Sequence, residues 1–252
     1  MADPGKEERR ELGVPIVPAF DGYRAFAILG VVMIHVLLSS GVSARAGGSA
    51  LGQLIWGTFG QAVDILFIVS GFVVFLPTVA RRSFGPVEAY AVRRIARIVP
   101  AYWLALALLL IVMVAFTPPG LPYPSASTVG IHATFLQTPA YLVQSFTGGV
   151  DGLGFGVDNP VWTLSVEMAF YLVLPLIAMR YLRRPLIGLA VCAAVAIGWR
   201  ELFQHFDSVA GLFGGHPEPI KLIDYRFASV DQFPFWIFSF GLGMTGAWAF
   251  VG

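Results

Sequence analysis

The sequence predicts an all-α membrane protein, a polytopic transmembrane helical bundle of about six spans, from three observations. Hydrophobic residues make up 57% of the 252 residues and charged residues only 12%, fewer charges than a soluble domain of this size carries. Apolar stretches recur along the chain at lengths that match the hydrocarbon core of a bilayer. Lysines and arginines gather between alternate stretches, as they do in multi-pass helical proteins.

The predicted spans follow a polar N-terminal segment. Residues 1–19 are charged, contain Pro15 and Pro18 and lack the short apolar core of a cleaved signal peptide, so they predict a cytoplasmic tail. Residues 20–252 are expected to form one transmembrane domain. The six apolar stretches within it are residues 23–42, 55–79, 100–117, 161–179, 185–203 and 231–251.

The positions of the basic residues predict the orientation in the inner or plasma membrane. The positive-inside rule places the N-terminus in the cytoplasm. Residues 117–160 contain no lysine or arginine and include a semi-apolar run at 131–143. We interpret this run as a surface-lying or re-entrant segment of an external loop, because a seventh span would move residues 180–184 to the outside. The cytoplasmic side then holds Lys6, Arg9, Arg10, Arg24, Arg81, Arg82, Arg93, Arg94, Arg97, Arg180, Arg183 and Arg184, and the other side holds Arg45, Arg200, Lys221 and Arg226.

One histidine stands out within the first span. His35 follows Arg24 by eleven residues, which returns it to within about 20° of the same helix face, roughly 16 Å further along the axis. An ionisable residue at such a depth in a membrane is costly and is a functional candidate by default. The alternative is a histidine that packs between helices and bonds to a neighbouring carbonyl.

Two carboxylates are expected near the depth of this histidine. Counted from the outer ends of their spans, His35 lies roughly 10 Å in, Asp64 roughly 12 Å and Glu167 roughly 9 Å. A carboxylate that orients a histidine is an arrangement used for general-base catalysis on hydroxyl groups. The alternative is a set of separate structural hydrogen bonds between helices.

Three arginines precede the third span on the cytoplasmic side. Arg93, Arg94 and Arg97 can share one broad face of an amphipathic helix, and guanidinium groups match phosphate oxygens. The alternative is a topology anchor that contacts anionic lipids, with Tyr102 and Trp103 in the interfacial aromatic belt.

Other chemical signatures are missing from the sequence. The net charge of +1 reflects topology and predicts no nucleic-acid partner. No metal site is expected, because the remaining ionisable residues lack ligand spacing and look like ordinary loop residues. Cys192 is the single cysteine and cannot form an intrachain disulfide. Neither Ser70 nor Ser165 lies in a Gly-x-Ser-x-Gly nucleophile elbow. The ionisable residues that lack metal-ligand spacing and look like ordinary loop residues are His132, His205, Asp207, His216 and Glu218.

Four segments resemble the signature regions of the integral-membrane acyltransferase 3 family, which includes O-antigen and peptidoglycan O-acetyltransferases and macrolide acyltransferases. Residues 233–235 and the glycines that follow add a weaker fifth likeness. In this order the segments extend across nearly the whole chain. They are Arg24 with His35, residues 63–72 (VDILFIVSGF), residues 93–103 (RRIARIVPAYW) and residues 162–171 (WTLSVEMAFY).

The resemblance implies an O-acyltransferase with about ten spans that uses cytoplasmic acyl-CoA as co-substrate, acetyl-CoA being expected, and no metal. Its acceptor would be a hydroxyl of an extracytoplasmic glycan or of a small natural product. His35 would be the catalytic residue, as a base or as an acyl relay, while Glu167 and Asp64 would complete the site. Arg24, Arg93, Arg94 and Arg97 would bind the donor, the last three through its phosphates.

A family length of about ten spans makes this chain, with six, an expected C-terminally truncated part of such a domain. Two alternatives stay open. One is a transporter or flippase with an intramembrane relay of His35, Asp64 and Glu167. The other is an inactive fragment whose helices are held by structural contacts alone.

Overall fold

The computed structural model describes residues 17–40, 49–116, 123–147, 161–212, 214–215 and 219–251. These residues form α-helices and, within the described ranges, no strand. The helices are α1 (Ala19–Ser39), α2 (Ala50–Phe59), α3 (Ala62–Arg81), α4 (Val87–Phe116), α5 (Ala126–Ala133), α6 (Gln137–Thr147), α7 (Trp162–Arg183), α8 (Pro185–Gln204), α9 (Phe206–Gly211), α10 (Pro219–Val230) and α11 (Phe233–Val251).

Among the described residues, six helical segments are long and apolar enough to cross a bilayer, which confirms the predicted all-α bundle. Each of them overlaps one predicted span, although the third begins earlier because the basic run and the apolar run form one helix, α4. The segments are Ala19–Leu37, Ala50–Arg81, Val87–Phe116, Trp162–Arg183, Pro185–Gln204 and Lys221–Val251.

The chain divides into two compact units, and the boundaries between them lie between α3 and α4 and within α7, α8 and α11. The first unit comprises Met1–Phe84, Leu174–Ala193 and Trp236–Gly252. The second unit comprises Gly85–Val173 and Ala194–Phe235.

In the first unit, α1 runs antiparallel to α3. The Phe20 and Phe72 rings lie 4.3 Å apart at one end, and ten residues further on a Cβ added at Gly30 would lie 2.7 Å from the Cβ of Ala62. The same register therefore holds over about 15 Å of helix axis. Phe72 also packs against Phe250 of α11, with ring centroids 5.8 Å apart.

Glycines let α3 and α11 approach each other through their backbones. A Cβ added at Gly71 would overlap the carbonyl oxygen of Phe240, and one added at Gly243 would overlap that of Ile68. Such close approach is typical of helix packing in membranes, where small residues allow dispersion contacts between backbones. The Tyr181 hydroxyl adds a tie from α7 to α11, because it donates to the Gly241 carbonyl at 2.9 Å.

In the second unit, the short helix α5 packs on the middle of α4. The Tyr102 hydroxyl donates to the His132 carbonyl at 2.9 Å, and the Trp103 indole donates to the Ala133 carbonyl at 3.0 Å. Tyr102 lies 14 residues before Phe116, the last residue of α4, which is about 21 Å of helix axis. The run at 131–143 therefore packs beside the third candidate span, and whether it is surface-lying or re-entrant stays a prediction.

Several residues expected in loops or in an aromatic belt have other positions. His132 is only 2% exposed and lies on α5, where its Nδ1 bonds to the Thr128 carbonyl at 2.9 Å. Tyr102 is buried against the Phe135 ring rather than facing an interface. His205 is exposed beside Glu201 in the turn between α8 and α9, as expected of a loop residue, whereas Asp207 is the second residue of α9. His216 and Glu218 lie outside the described residues.

Hydrogen bonds join the other segments of the second unit. The Ser165 hydroxyl of α7 donates to the Phe135 carbonyl at 2.6 Å, and the Gln232 amide donates to the Thr138 carbonyl at 2.7 Å. Burial, together with Asp224 and Asp231 nearby, raises the pKa of Tyr141 on α6, so this phenol stays protonated at neutral pH. The packing of α6 is therefore not disturbed by a buried phenolate.

Candidate functional site

Arg24 and His35 lie on the inward stripe of α1. Both side chains are half-buried, and the buried positions between them include Ala27, Val31 and Ile34. This confirms that the eleven-residue spacing places the two ionisable residues on one face of the helix. That face packs against α3 in the first unit.

The His35 ring is held by its own helix. Its Nδ1 lies 2.7 Å from the Val31 carbonyl oxygen, one turn earlier. Because a carbonyl only accepts, the neutral ring carries its hydrogen on Nδ1, and the lone pair is on Nε2. The backbone therefore does what a carboxylate often does for a catalytic histidine: it fixes the tautomer and leaves Nε2 as a base or nucleophile.

Asp64 has a partner that the sequence did not suggest. The Ser239 hydroxyl of α11 donates to Asp64 Oδ1 at 2.9 Å. Ser239 is buried in an otherwise apolar stretch, where a lone hydroxyl was the only available signal. The bond fixes the direction of the carboxylate across the α3–α11 contact.

The structure does not place Asp64 level with His35. Gly30 faces Ala62 in the antiparallel pair; His35 lies five residues beyond Gly30, and Asp64 lies two residues from Ala62 in the opposite direction. The two residues are thus separated by about 10 Å along the axis, with Asp64 between the levels of Arg24 and His35. Equal depth was expected from a count that began at residue 56, whereas the helical segment begins at Ala50, so Asp64 lies further along it than that count assumed.

Glu167 belongs to a different cluster, in the second unit. Its side chain is 9% exposed, and its Oε1 accepts a 2.5 Å hydrogen bond from the Tyr171 hydroxyl, one turn further along α7. The Tyr90 hydroxyl of α4 donates in turn to the Tyr171 carbonyl at 3.2 Å. A buried carboxylate is thereby joined to two tyrosines from two helices.

Arg94 completes this cluster, which we call the Arg94 cluster (Tyr90, Arg94, Glu167 and Tyr171). The guanidinium carbon lies 5.6 Å from the centroid of the Tyr90 ring and 5.5 Å from that of the Tyr171 ring. Both contacts fall within the range of cation–π attraction. The predicted arginine trio is therefore unequal, because Arg94 is half-buried among aromatic rings while Arg93 and Arg97 are exposed.

The predicted site residues thus fall into two groups. Arg24, His35 and Asp64 lie in the first unit; Glu167 and the arginines Arg93, Arg94 and Arg97 lie in the second. A joint site of His35, Asp64 and Glu167 stays a prediction.

Sequence reasoning missed the roles of Tyr90, Tyr171 and Ser239. Tyr90 precedes Arg94 by four residues, and Glu167 precedes Tyr171 by four, so helical spacing could have paired them. Within the described ranges, no group of three or more histidine, cysteine or acidic side chains is arranged to hold a metal ion.

Comparison with known proteins gives a consistent result. Residues 17–250 match a family described as an acyltransferase domain. Nodulation protein 10 of Rhizobium leguminosarum bv. viciae is 30% identical, over 88% of this chain and 58% of its own length. The peptidoglycan O-acetyltransferase OatA of Listeria monocytogenes is 25% identical, over 71% of this chain and 28% of its own. Acyltransferase MdmB of Streptomyces mycarofaciens is 30% identical, over 71% of this chain and 43% of its own.

The chain therefore spans less than two thirds of the length of each of these relatives. No solved structure matches it at a significant level. The family match nevertheless covers all but the ends of the chain and includes every predicted site residue, from Arg24 to Glu167. On this match, with six helical segments in the described part of the chain long and apolar enough to span a membrane, the chain belongs to the acyltransferase 3 family of membrane proteins.

Proposed function

We propose that the protein is a membrane O-acyltransferase that takes an acyl group, acetyl in the first instance, from acyl-CoA on the cytoplasmic side. The acceptor is a hydroxyl of an extracytoplasmic glycan or of a small natural product. Two of the relatives are named as acyltransferases, one of them acting on peptidoglycan. Membership of this family favours an acyltransferase over the transporter alternative.

One observation carries the proposal: the hydrogen bond that fixes the tautomer of the His35 ring. The 2.7 Å bond from Nδ1 to the Val31 carbonyl fixes the tautomer, so Nε2 offers a lone pair near the C-terminal end of the apolar helix α1. As a base, Nε2 accepts the hydroxyl proton while the oxygen bonds to the thioester carbon and the carbon–sulfur bond breaks. The proton then passes from Nε2 to the leaving sulfur. As a relay, Nε2 instead bonds to the thioester carbon while the carbon–sulfur bond breaks and CoA leaves as the thiolate. The hydroxyl oxygen then bonds to the acyl carbon while the carbon–nitrogen bond breaks, and the hydroxyl proton passes to the thiolate.

The residues present fit a phosphate-bearing donor. The Arg94 Nε is buried and has no hydrogen-bond partner among the described residues. A buried N–H without an acceptor is costly, and an anionic oxygen removes that cost. Arg94 would therefore hold a phosphate group of acyl-CoA, while Arg93 and Arg97, both exposed, would add positive charge nearby.

The remaining site residues take supporting roles in this proposal. Asp64, held by Ser239, would act on the charge that develops at His35 during the reaction electrostatically rather than by contact. Arg24 lies on the same stripe of α1, on the side of Asp64 away from His35, and would attract the anionic donor toward that stripe.

The test is release of free CoA from acetyl-CoA by inside-out membrane vesicles that contain the natural gene product. We expect His35→Ala to lower the rate by at least about 100-fold, because it removes the base or relay. His205→Ala is the matched control: His205 is 66% exposed, and the parent rate is expected.

Sealed right-side-out vesicles given the same impermeant donor should release no CoA. Equal rates for the parent and His35→Ala would contradict the role of His35. Equal rates in both vesicle orientations would contradict a donor site on the cytoplasmic side.

A further inference from the structure

Arg94 differs from its two neighbours in the way it is held. Its guanidinium lies over two tyrosine rings, at 5.6 Å from Tyr90 and 5.5 Å from Tyr171, and its Nε is buried without an acceptor in the described part of the chain. It lies seven residues into α4, about 10 Å from the start of the helix. An arginine that served only as a surface anchor would not have this burial.

The two tyrosines are themselves fixed. The Tyr171 hydroxyl donates to Glu167 Oε1 at 2.5 Å, and the Tyr90 hydroxyl donates to the Tyr171 carbonyl at 3.2 Å. Their rings meet edge to face, with centroids 6.5 Å apart and planes at 87°. Each ring therefore has one orientation, set by hydrogen bonds within the cluster.

Aromatic faces and anions satisfy different parts of a guanidinium. A ring attracts the positive charge but accepts none of the five N–H groups, which point outward in the guanidinium plane. Contacts with two rings thus restrict the plane and leave its edges for an acceptor. The edge with Nε and a terminal nitrogen matches two oxygens of one phosphate or of a diphosphate.

We propose that Tyr171 and Glu167 are positioning residues for this anion site. Glu167 fixes the Tyr171 hydroxyl, and the Tyr171 ring, with that of Tyr90, holds the Arg94 guanidinium so that its edge meets phosphate oxygens of the donor. The inference rests on the proposed use of acyl-CoA. The sequence had grouped Glu167 with His35 for activation of the acceptor hydroxyl. In this inference Glu167 instead serves donor binding, and it does so through Tyr171.

The test is calorimetric titration of CoA into the purified natural gene product. Relative to the parent, we expect Arg94→Lys and Tyr171→Leu each to raise the Kd for CoA about tenfold. Arg94→Lys removes the guanidinium edge that binds two oxygens, and Tyr171→Leu removes a ring that holds the guanidinium. Tyr171→Phe keeps the ring but loses the bond to Glu167, and Glu167→Gln keeps an acceptor without the charge. Both should raise the Kd about threefold.

Matched controls come from exposed residues of the same types. Arg183→Lys, at the end of α7, and Tyr123→Leu, outside the helices, should leave the Kd unchanged. Inorganic pyrophosphate should compete with CoA in the parent but not in Arg94→Lys, a difference that a loss of packing alone would not produce.

The outcomes separate the two proposals. A parent that does not bind CoA contradicts the donor in the proposed function. A parent that binds CoA, with a folded Tyr171→Leu of unchanged Kd, overturns the positioning role while leaving that function intact. If Tyr171→Leu does not fold, the decision passes to the two milder variants, and parent values of Kd for both Tyr171→Phe and Glu167→Gln overturn the inference.

Discussion

The two units hold their ionisable residues in opposite ways. In the first, His35 bonds to a backbone carbonyl of its own helix and Asp64 to Ser239, and the two lie about 10 Å apart along the helix axis. In the second, Tyr171 bonds to Glu167 and its ring contacts Arg94. Tyr90 bonds to the Tyr171 carbonyl and its ring also contacts Arg94. In the proposed function, Asp64 would therefore act on His35 at a distance, whereas Glu167 would act on Arg94 through the contacts of Tyr171.

This difference indicates how far the effect of a substitution should spread. Residues in one network of contacts show coupled energies, whereas residues separated by about 10 Å without shared partners show nearly additive ones. Changes to the Arg94 cluster should alter several of its members together. Changes at Asp64 should leave the geometry of the His35 ring intact, because its hydrogen bond among the described residues goes to the Val31 carbonyl and not to Asp64.

The largest expected effect breaks the packing that brings Ser239 to Asp64. In Gly243→Leu, the new side chain overlaps the Ile68 carbonyl and forces α11 away from α3. Overpacking of this kind costs about 1–3 kcal/mol, which lowers the midpoint of thermal unfolding by roughly 3–10 °C. The midpoint is measured on the purified protein by the loss of helical circular dichroism.

Gly198→Leu is the matched control for this substitution. A Cβ at Gly198 on α8 meets no atom within 4 Å, so its midpoint should stay close to that of the parent. Equal shifts in the two variants would show that the α3–α11 contact is not a close backbone approach.

A second, intermediate effect compares the two carboxylates directly. Asp64→Asn keeps the bond to Ser239 but removes a carboxylate that is offset from His35 by about 10 Å along the helix axis, so the change is worth at most about 1.5 kcal/mol at an effective dielectric of 20. We expect a rate of CoA release lowered by up to about tenfold, with an unchanged Kd for CoA. Glu167→Gln should instead change the Kd for CoA more than the rate of CoA release.

Steady-state rates in vesicles and titrations on the purified protein separate these two outcomes. The comparison fails if Asp64→Asn weakens CoA binding as strongly as Glu167→Gln does. It would also fail if Asp64→Asn left the rate of CoA release unchanged.

Sequence patterns predicted the helices better than the contacts between them. Hydropathy alone located the six candidate spans of the described residues, because every backbone group in a bilayer must be satisfied within a helix or a closed barrel. The shared face of Arg24 and His35 followed from helical periodicity. Levels between different helices could not follow in this way, since the turn at residues 60–61 and the register set by Gly30 and Ala62 decide them.

The partners of the site residues could not be predicted from the sequence pattern either. Glu167 was grouped with His35 by residue type and counted depth, but its hydroxyl partner, Tyr171, lies on its own helix one turn away. The unequal exposure of Arg93, Arg94 and Arg97 depends on which face of α4 meets α7, and three arginines in one run do not reveal it. Only packing distinguishes an arginine between aromatic rings from its exposed neighbours.

The smallest expected effect comes from two tyrosine hydroxyls, one in each unit. The Tyr181 hydroxyl bonds to the Gly241 carbonyl and the Thr245 hydroxyl, each at 2.9 Å, so Tyr181→Phe should cost about 1 kcal/mol of stability and leave the Kd for CoA unchanged. Tyr171→Phe should cost more, because it leaves the Glu167 carboxylate buried without this donor, and it should also weaken CoA binding. Tyr123→Phe, at an exposed position, sets the baseline for both unfolding midpoints and titrations. A Tyr181→Phe variant with weakened CoA binding would show that the hydroxyls of the two units do not differ in role, because loss of stability alone would then account for the effect at Tyr171.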